Sequence, residues 1–186
     1  MAEIDDSTST PAEPANPRQL SDEDRAKYNA LDPHAVVSTK PWEFETRSTF
    51  LRRLAIGWVI LVMVIHIWIG LTVDIEYTGA AITGIDKWAF PGVGLIISLL
   101  SWWALNRPRL RANADGVEVQ NIVGTRFYPW YVVYGLSFPQ GSRMARIELP
   151  EFEYVPVWAM QSADGASTVK AVSEFRELEA KYMPQD

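Results

Sequence analysis

The chain has 186 residues, a formal net charge of -6 and no cysteine. That charge argues against bulk affinity for nucleic acid, and the missing thiols exclude disulfides, thiolate metal sites and a cysteine nucleophile. A mean hydropathy of -0.05 resembles that of a soluble protein, but the average dilutes two strongly apolar runs.

Residues 1 to 35 hold eight acids against Arg18, Arg25 and Lys27, and so supply five of the six net negative charges. The opening MAEIDDSTSTPAEPANP is rich in Pro, Ser, Thr and acids and has too little apolar surface to build a core. Residues 1–46 are therefore expected to be a disordered acidic tail. A short helix is expected over 21–31, where Ser21 can cap and Asp22, Glu23 and Asp24 meet the positive end of the helix dipole. The first apolar run starts at Leu54, too deep for a cleavable signal peptide, so the N-terminus is expected to be retained.

Leu54 to Val73 is twenty residues without a charge, about 30 Å as a helix and equal to the hydrocarbon thickness of a bilayer. Trp88 to Leu105 is a second uncharged run, with Pro91 in its first turn, where a missing N–H costs little. Only about eighty residues follow the second run to bury both as a soluble core. Residues 47–106 therefore read as a transmembrane hairpin with spans at about 54–73 and 88–105. Trp58, Trp102 and Trp103 fall near one interface and Trp68 and Trp88 near the other, as an aromatic belt requires. Lys40, Arg47, Arg52 and Arg53 precede the first span, Arg107, Arg109 and Arg111 follow the second, and only Lys87 lies between. This bias places the protein in the plasma (inner) membrane with both termini cytoplasmic.

His66 lies twelve residues into the first span, about 18 Å deep, and an antiparallel partner reaches a similar depth near Ser98. The two side chains are expected to face each other in an interhelical hydrogen bond. The alternatives are contact with another subunit, favoured by the spacing of Gly94 and Ser98, and metal or haem ligation, for which no second histidine or carboxylate lies at that depth.

From Arg109 the pattern changes to short alternating segments. Val117 and Val119 alternate with Glu118 and Gln120, Ile147 and Leu149 flank Glu148, and Asp115-Gly116 marks a hairpin turn. Six or seven antiparallel strands are expected. After Asp164-Gly165, Val169, Val172, Phe175, Leu178 and Tyr182 recur every three or four residues, one amphipathic helix ended by Pro184.

The segment RLRANADGVEVQNIVGTRFYPWYVVYGLSFPQGS, followed by a strand and a helix after ADGAS, resembles the bacterial PH-like domain of a small actinobacterial membrane-protein family that includes the low molecular weight protein antigen. DGVEVQN, Pro129-Trp130 and the DG before the helix carry the resemblance. It implies a PH-like domain over 107–186, a bent antiparallel barrel or sandwich of six to seven strands capped by the C-terminal helix, and no enzyme. Phosphoinositide-binding relatives cluster lysines and arginines at the first hairpin. Here the NADG turn has no basic residue.

No phosphate-binding glycine loop, nucleophile elbow or zinc-binding helix motif occurs, so no catalytic, cofactor or metal residue is assigned. Glu148, Glu151 and Glu153 in ELPEFE are read as a solvated face on which alternation points Glu151 and Glu153 the same way. The overall expectation is a non-enzymatic membrane-anchored binding or scaffold protein whose cytoplasmic domain engages another protein, as an accessory subunit of an envelope or respiratory assembly. The alternative is anionic-lipid headgroup recognition. Arg52, Arg53, Arg107, Arg109 and Arg111 are the candidates for contact with the membrane surface, a lipid or a partner.

Overall fold

The computed structural model describes residues 22–34, 37–73 and 84–183. The expected disorder of residues 1–20 and the loop between the two apolar runs lie outside them, apart from the last turn into the second helix.

Helices α2 (Thr49–Thr72) and α3 (Gly84–Asn106) form the hairpin, and both are long and apolar enough to cross a membrane. Ser48 starts α2 by accepting the Leu51 N–H on its hydroxyl at 3.0 Å, which satisfies one of the orphan donors of the first turn. Leu51, Ala55, Val62 and Gly70 are buried along one stripe of α2, while Ile60, Val64, Trp68 and Leu71 on other faces stay exposed. The hairpin is held by close backbone approach rather than by a broad apolar core. A Cβ on Gly70 would lie 2.7 Å from the Lys87 carbonyl oxygen, and one on Gly94 would lie 2.7 Å from the His66 Cβ.

Two expectations change here. Helix α3 begins at Gly84, so Pro91 is inside the helix rather than in its first turn. Its missing N–H removes the usual i+4 bond to the Lys87 carbonyl, which lies against Gly70. The expected His66–Ser98 hydrogen bond is not made. His66 Nδ1 sits 2.8 Å from the Val62 carbonyl of its own helix, its ring packs on Gly94 one turn from Ser98, and the buried Ser98 hydroxyl has no partner. An i−4 carbonyl is always within reach of a helical side chain, so the local bond displaces the interhelical one.

The sheet unit contains strands β1 (Phe44–Thr46), β2 (Arg109–Asn113), β3 (Gly116–Gln120), β4 (Thr125–Pro129), β5 (Gly135–Ser137), β6 (Met144–Glu148) and β7 (Tyr154–Gln161), followed by helix α4 (Ala166–Tyr182). They form two antiparallel sheets, β1-β2-β3-β4 and β5-β6-β7. The β2–β3 hairpin is built by Asn113, whose Oδ1 accepts from Asp115 N at 3.0 Å and Gly116 N at 3.3 Å. Leu110, Val117, Val119, Ile147 and Val157 fill the core between the sheets. Phe175 of α4 closes it, fully buried with its ring 5.8 Å from those of both Phe44 and Trp130.

The sheets are open, not a closed barrel. The free edge of β4 is taken by an irregular segment, with Phe127 N donating to Pro33 O at 2.8 Å. On β5, Leu136 N donates to the Glu179 carboxylate. Side chains and coil thus satisfy the edge groups that closure would have paired. The sheets are tied instead by Asn121, which donates to Pro156 O at 2.8 Å and accepts from Trp158 N at 3.2 Å.

The described parts of the segment assigned to a disordered tail, residues 22–34 and 37–46, pack on this unit. Helix α1 (Asp22–Ala30) places the Tyr28 hydroxyl 2.6 Å from Glu153. Ser38 bonds Asp115 at 2.8 Å and receives a bond from Asn113 at 2.8 Å, and β1 pairs with β2 as an edge strand, Phe44 opposite Ala112. Its anchors, the polar contacts of Tyr28 and Ser38 and the buried Phe44 ring, have partners distant in sequence, which no local composition reveals.

Candidate functional site

Two surface features combine geometry and chemistry in ways packing alone does not require. The first is the turn between β6 and β7. Pro150–Phe152 is a 3-10 turn in which Glu151 and Phe152 both have left-handed backbones, φ 58° and 62°. Neither residue relieves the steric cost as glycine would. Phe152 is 100% exposed, so its own burial does not hold the conformation. The flanks do: Arg25 of α1 lies 3.6 Å from Glu151, Tyr28 bonds Glu153, and Leu149 N donates to Glu153 O at 3.0 Å. Burial and Glu153 together push the Tyr28 phenol well above its ordinary range, keeping it a donor. The result is an aromatic knob between two carboxylates.

The second is a cleft of about 320 Å³ where the hairpin meets the sheets, lined by Arg47, Trp102, Trp103, Asn106, Arg107, Arg109 and Gln120. The end of α3 supplies the tryptophans and Asn106, the linker into α2 supplies Arg47, and adjacent strands β2 and β3 supply Arg109 and Gln120, which pair in register. The Arg107 guanidinium lies 4.9 Å from the centre of the Trp103 ring, a cation–π arrangement. Arg47 Nε bonds Glu45 at 2.9 Å. Arg109 is half-buried, and its Nε is buried with no hydrogen-bond acceptor. Burial, then the neighbouring charge of Arg111, holds the Arg109 guanidinium below its ordinary range, against the pull of Glu118. Such a site favours an incoming anion.

The five arginines singled out by sequence separate in space. Arg107 and Arg109 line the cleft. Arg111 is committed elsewhere, its guanidinium bonding the buried carboxylate of Glu118 and lying 4.4 Å from the Trp42 ring centre. Arg52 and Arg53 are exposed on the first turns of α2, outside the cleft. Sequence reasoning left Arg47 out of the candidates, although it sits beside the same apolar run as Arg52 and Arg53. It also read Trp102 and Trp103 only as belt residues. Gln120 carried no signal; its place follows from the register of β3 against β2.

Glu148, Glu151 and Glu153 do not form one face. The left-handed turn breaks the alternation assumed for Glu151 and Glu153. Glu148 bonds Ser137 and Arg146 instead. Among the described residues no cluster of His, Asp and Glu could hold a metal ion.

The family model for the bacterial PH domain matches residues 107–178. The chain is 36% identical over 152 residues to an uncharacterized protein of Mycobacterium bovis, covering 80% of this chain and 96% of that protein. Uncharacterized proteins of two Mycobacterium tuberculosis strains, CDC 1551 and H37Rv, match to the same extent. No solved structure matches the chain.

Proposed function

Since the chain belongs to one family with these mycobacterial proteins and carries a bacterial PH domain, we propose that it is a non-enzymatic, membrane-anchored scaffold whose PH-like domain engages another protein. In this reading α2 and α3 cross the plasma membrane with both termini cytoplasmic, as the basic flanks favour. The protein serves as an accessory subunit of an envelope or respiratory assembly. Membership of the low molecular weight protein antigen family is part of the same proposal and rests on the order of DGVEVQN, Pro129-Trp130 and the DG before α4.

The observation that carries the protein-engaging role is Phe152, fully exposed on two consecutive left-handed residues and braced by α1. Strain at an exposed aromatic is kept by a fold when the side chain is used elsewhere, and aromatic anchors dominate protein interfaces. The carboxylates on either side disfavour an anionic lipid surface and fit a partner with an apolar pocket and a basic rim.

A photo-crosslinking amino acid placed at Phe152 in the full chain, in its native membranes, is expected to give one dominant protein adduct. The same group at exposed Gln140 is expected to give none. Equal, diffuse labelling from both positions would remove Phe152 as a contact and the scaffold reading with it.

A further inference from the structure

We infer that the cleft at the hairpin–sheet junction holds the phosphate headgroup of an anionic membrane phospholipid. The inference depends on the preceding reading only in placing α2 and α3 in a bilayer, and it concerns a different surface from Phe152.

The donors converge and are only partly used: Arg47 Nε bonds Glu45 outside the lining, while Arg109 Nε is buried without a partner. Arg47, Arg107 and Arg109 line one space with no carboxylate among its lining residues. The nearest acid to Arg109 is Glu118, whose Oε1 is 3.8 Å from Arg109 Nη2 and is already taken by Arg111. Arg107 has only a long contact, 3.4 Å to Ile122 O, in addition to its stacking on Trp103. Arg109 Nε has no acceptor within the protein. Leaving a buried guanidinium N–H unpaired is costly, and an anion that reaches it recovers that cost. A phosphate offers several oxygens to guanidinium forks that match its geometry.

Position selects the source. The cleft lies where α3 ends and α2 is about to begin, with Trp102 and Trp103 as walls. If the helices cross a bilayer, this is the depth of the headgroups, where tryptophan settles and where phosphate is already concentrated. The acyl chains of a lipid seated here could follow the exposed apolar face of α3, where Leu99, Leu100 and Trp103 are uncovered. The site is at the opposite end of β2 and β3 from the Asn113–Gly116 turn, about 15 Å along the strands.

The test uses the full-length protein in phosphatidylcholine nanodiscs containing a minor fraction of phosphatidylglycerol, with lipid retention read by native mass spectrometry. The wild-type chain is expected to retain one phosphatidylglycerol in preference to phosphatidylcholine. The double variant Arg107→Gln, Arg109→Gln should lower that retention about tenfold or more, whereas Arg52→Gln with Arg53→Gln should leave it unchanged. Gln120→Glu, which puts a carboxylate into the cleft without removing an arginine, should also lower it, and this guards against loss of fold in the double variant. Millimolar inorganic phosphate should not displace the lipid. No preference for phosphatidylglycerol, equal losses from the Arg52 and Arg53 changes, or full displacement by inorganic phosphate would each overturn the inference; the last would make soluble phosphate the ligand. A failed Phe152 crosslink leaves these readouts untouched.

Discussion

Asp164 caps Phe50: its Oδ1 accepts the Phe50 backbone N–H at 2.6 Å and, at the same distance, the Thr49 hydroxyl. The carboxylate comes from the turn between β7 and α4, so a residue of the sheet unit completes the first turn of the hairpin helix. With the Ser48 hydroxyl taking the Leu51 N–H, two of the four orphan donors of α2 are satisfied, one from within and one from across the junction. A negative charge also suits the positive end of the helix dipole. This contact fixes the hairpin against the sheets on the α2 side, as the Arg107-to-Arg109 connection does on the α3 side.

Asp164→Ala should therefore cost about 1 kcal/mol, the usual cost of losing a capping side chain. Its signature should be local. Amide exchange at Phe50 should speed up, while exchange in β2 and β3 stays unchanged. Asp164→Asn, which keeps an oxygen acceptor but loses the charge, should fall between. Equal exchange at Phe50 in all three proteins would show that the contact holds nothing.

The hairpin makes a second prediction, from its glycines. A methyl at Gly94 would collide with His66 Cβ and Cγ, and one at Gly70 with the backbone carbonyl of Lys87, all at 2.7 Å. Gly57 and Gly92 have nothing within 4 Å of that position. Alanine at Gly70 should be the most damaging, since a backbone carbonyl cannot rotate aside. Overpacking of this kind costs about 1–3 kcal/mol. Gly57→Ala and Gly92→Ala should instead be neutral or slightly stabilising, as alanine is the better helix former. Thermal unfolding of the four variants in one detergent gives the ranking, and equal midpoints for Gly70→Ala and Gly57→Ala would contradict the packing described.

The same residues show where sequence patterns stop being informative. The two apolar helices, the alternating strands and the period of α4 follow from spacing, because burial of one face repeats along an element. Phe175, on the apolar stripe of α4, is the fully buried residue that closes the core. Asn113, Asn121 and Asp164 could not be found that way. Each is a polar residue whose role is set by a partner more than thirty residues away or by a turn geometry. His66 shows the converse. Depth matching brought it to the right turn of α3, but a neutral imidazole in a helix has its own i−4 carbonyl at hand. The cleft was half legible, since charge counting found Arg107 and Arg109. Separating them from Arg111 required knowing that Glu118, on the face of β3 away from Val117 and Val119, is buried against Arg111.

Acid should loosen the N-terminal arm and the β5–β6 pairing before it unfolds the core. Glu43, Asp115 and Glu148 are held below their ordinary range: Glu43 by the Tyr182 hydroxyl and then Lys181, Asp115 by Lys40 and then Ser38, and Glu148 by Ser137 and then Arg146. Glu43 ties the β1 segment to α4, Asp115 ties Ser38 and Lys40 to the β2–β3 turn, and Glu148 ties β6 to Ser137 of β5. A carboxylate with a depressed folded pKa binds protons more readily when unfolded. Its stabilisation is therefore present above the unfolded value, about 4, and is lost as pH falls through the lower folded value. The partner lysines Lys40 and Lys181 are raised; their contribution is present below their unfolded value, about 10.4, and is lost only in stronger alkali. The thermal midpoint should thus be flat from about pH 6 to 9 and fall below about pH 4, with proteolytic nicking near residues 38–43 appearing first. These groups are exposed enough that salt should weaken the effect. Glu43→Gln with Asp115→Asn should flatten the acid slope, and a midpoint that stays constant down to pH 3 in the wild-type chain would show that these carboxylates do not hold the arm.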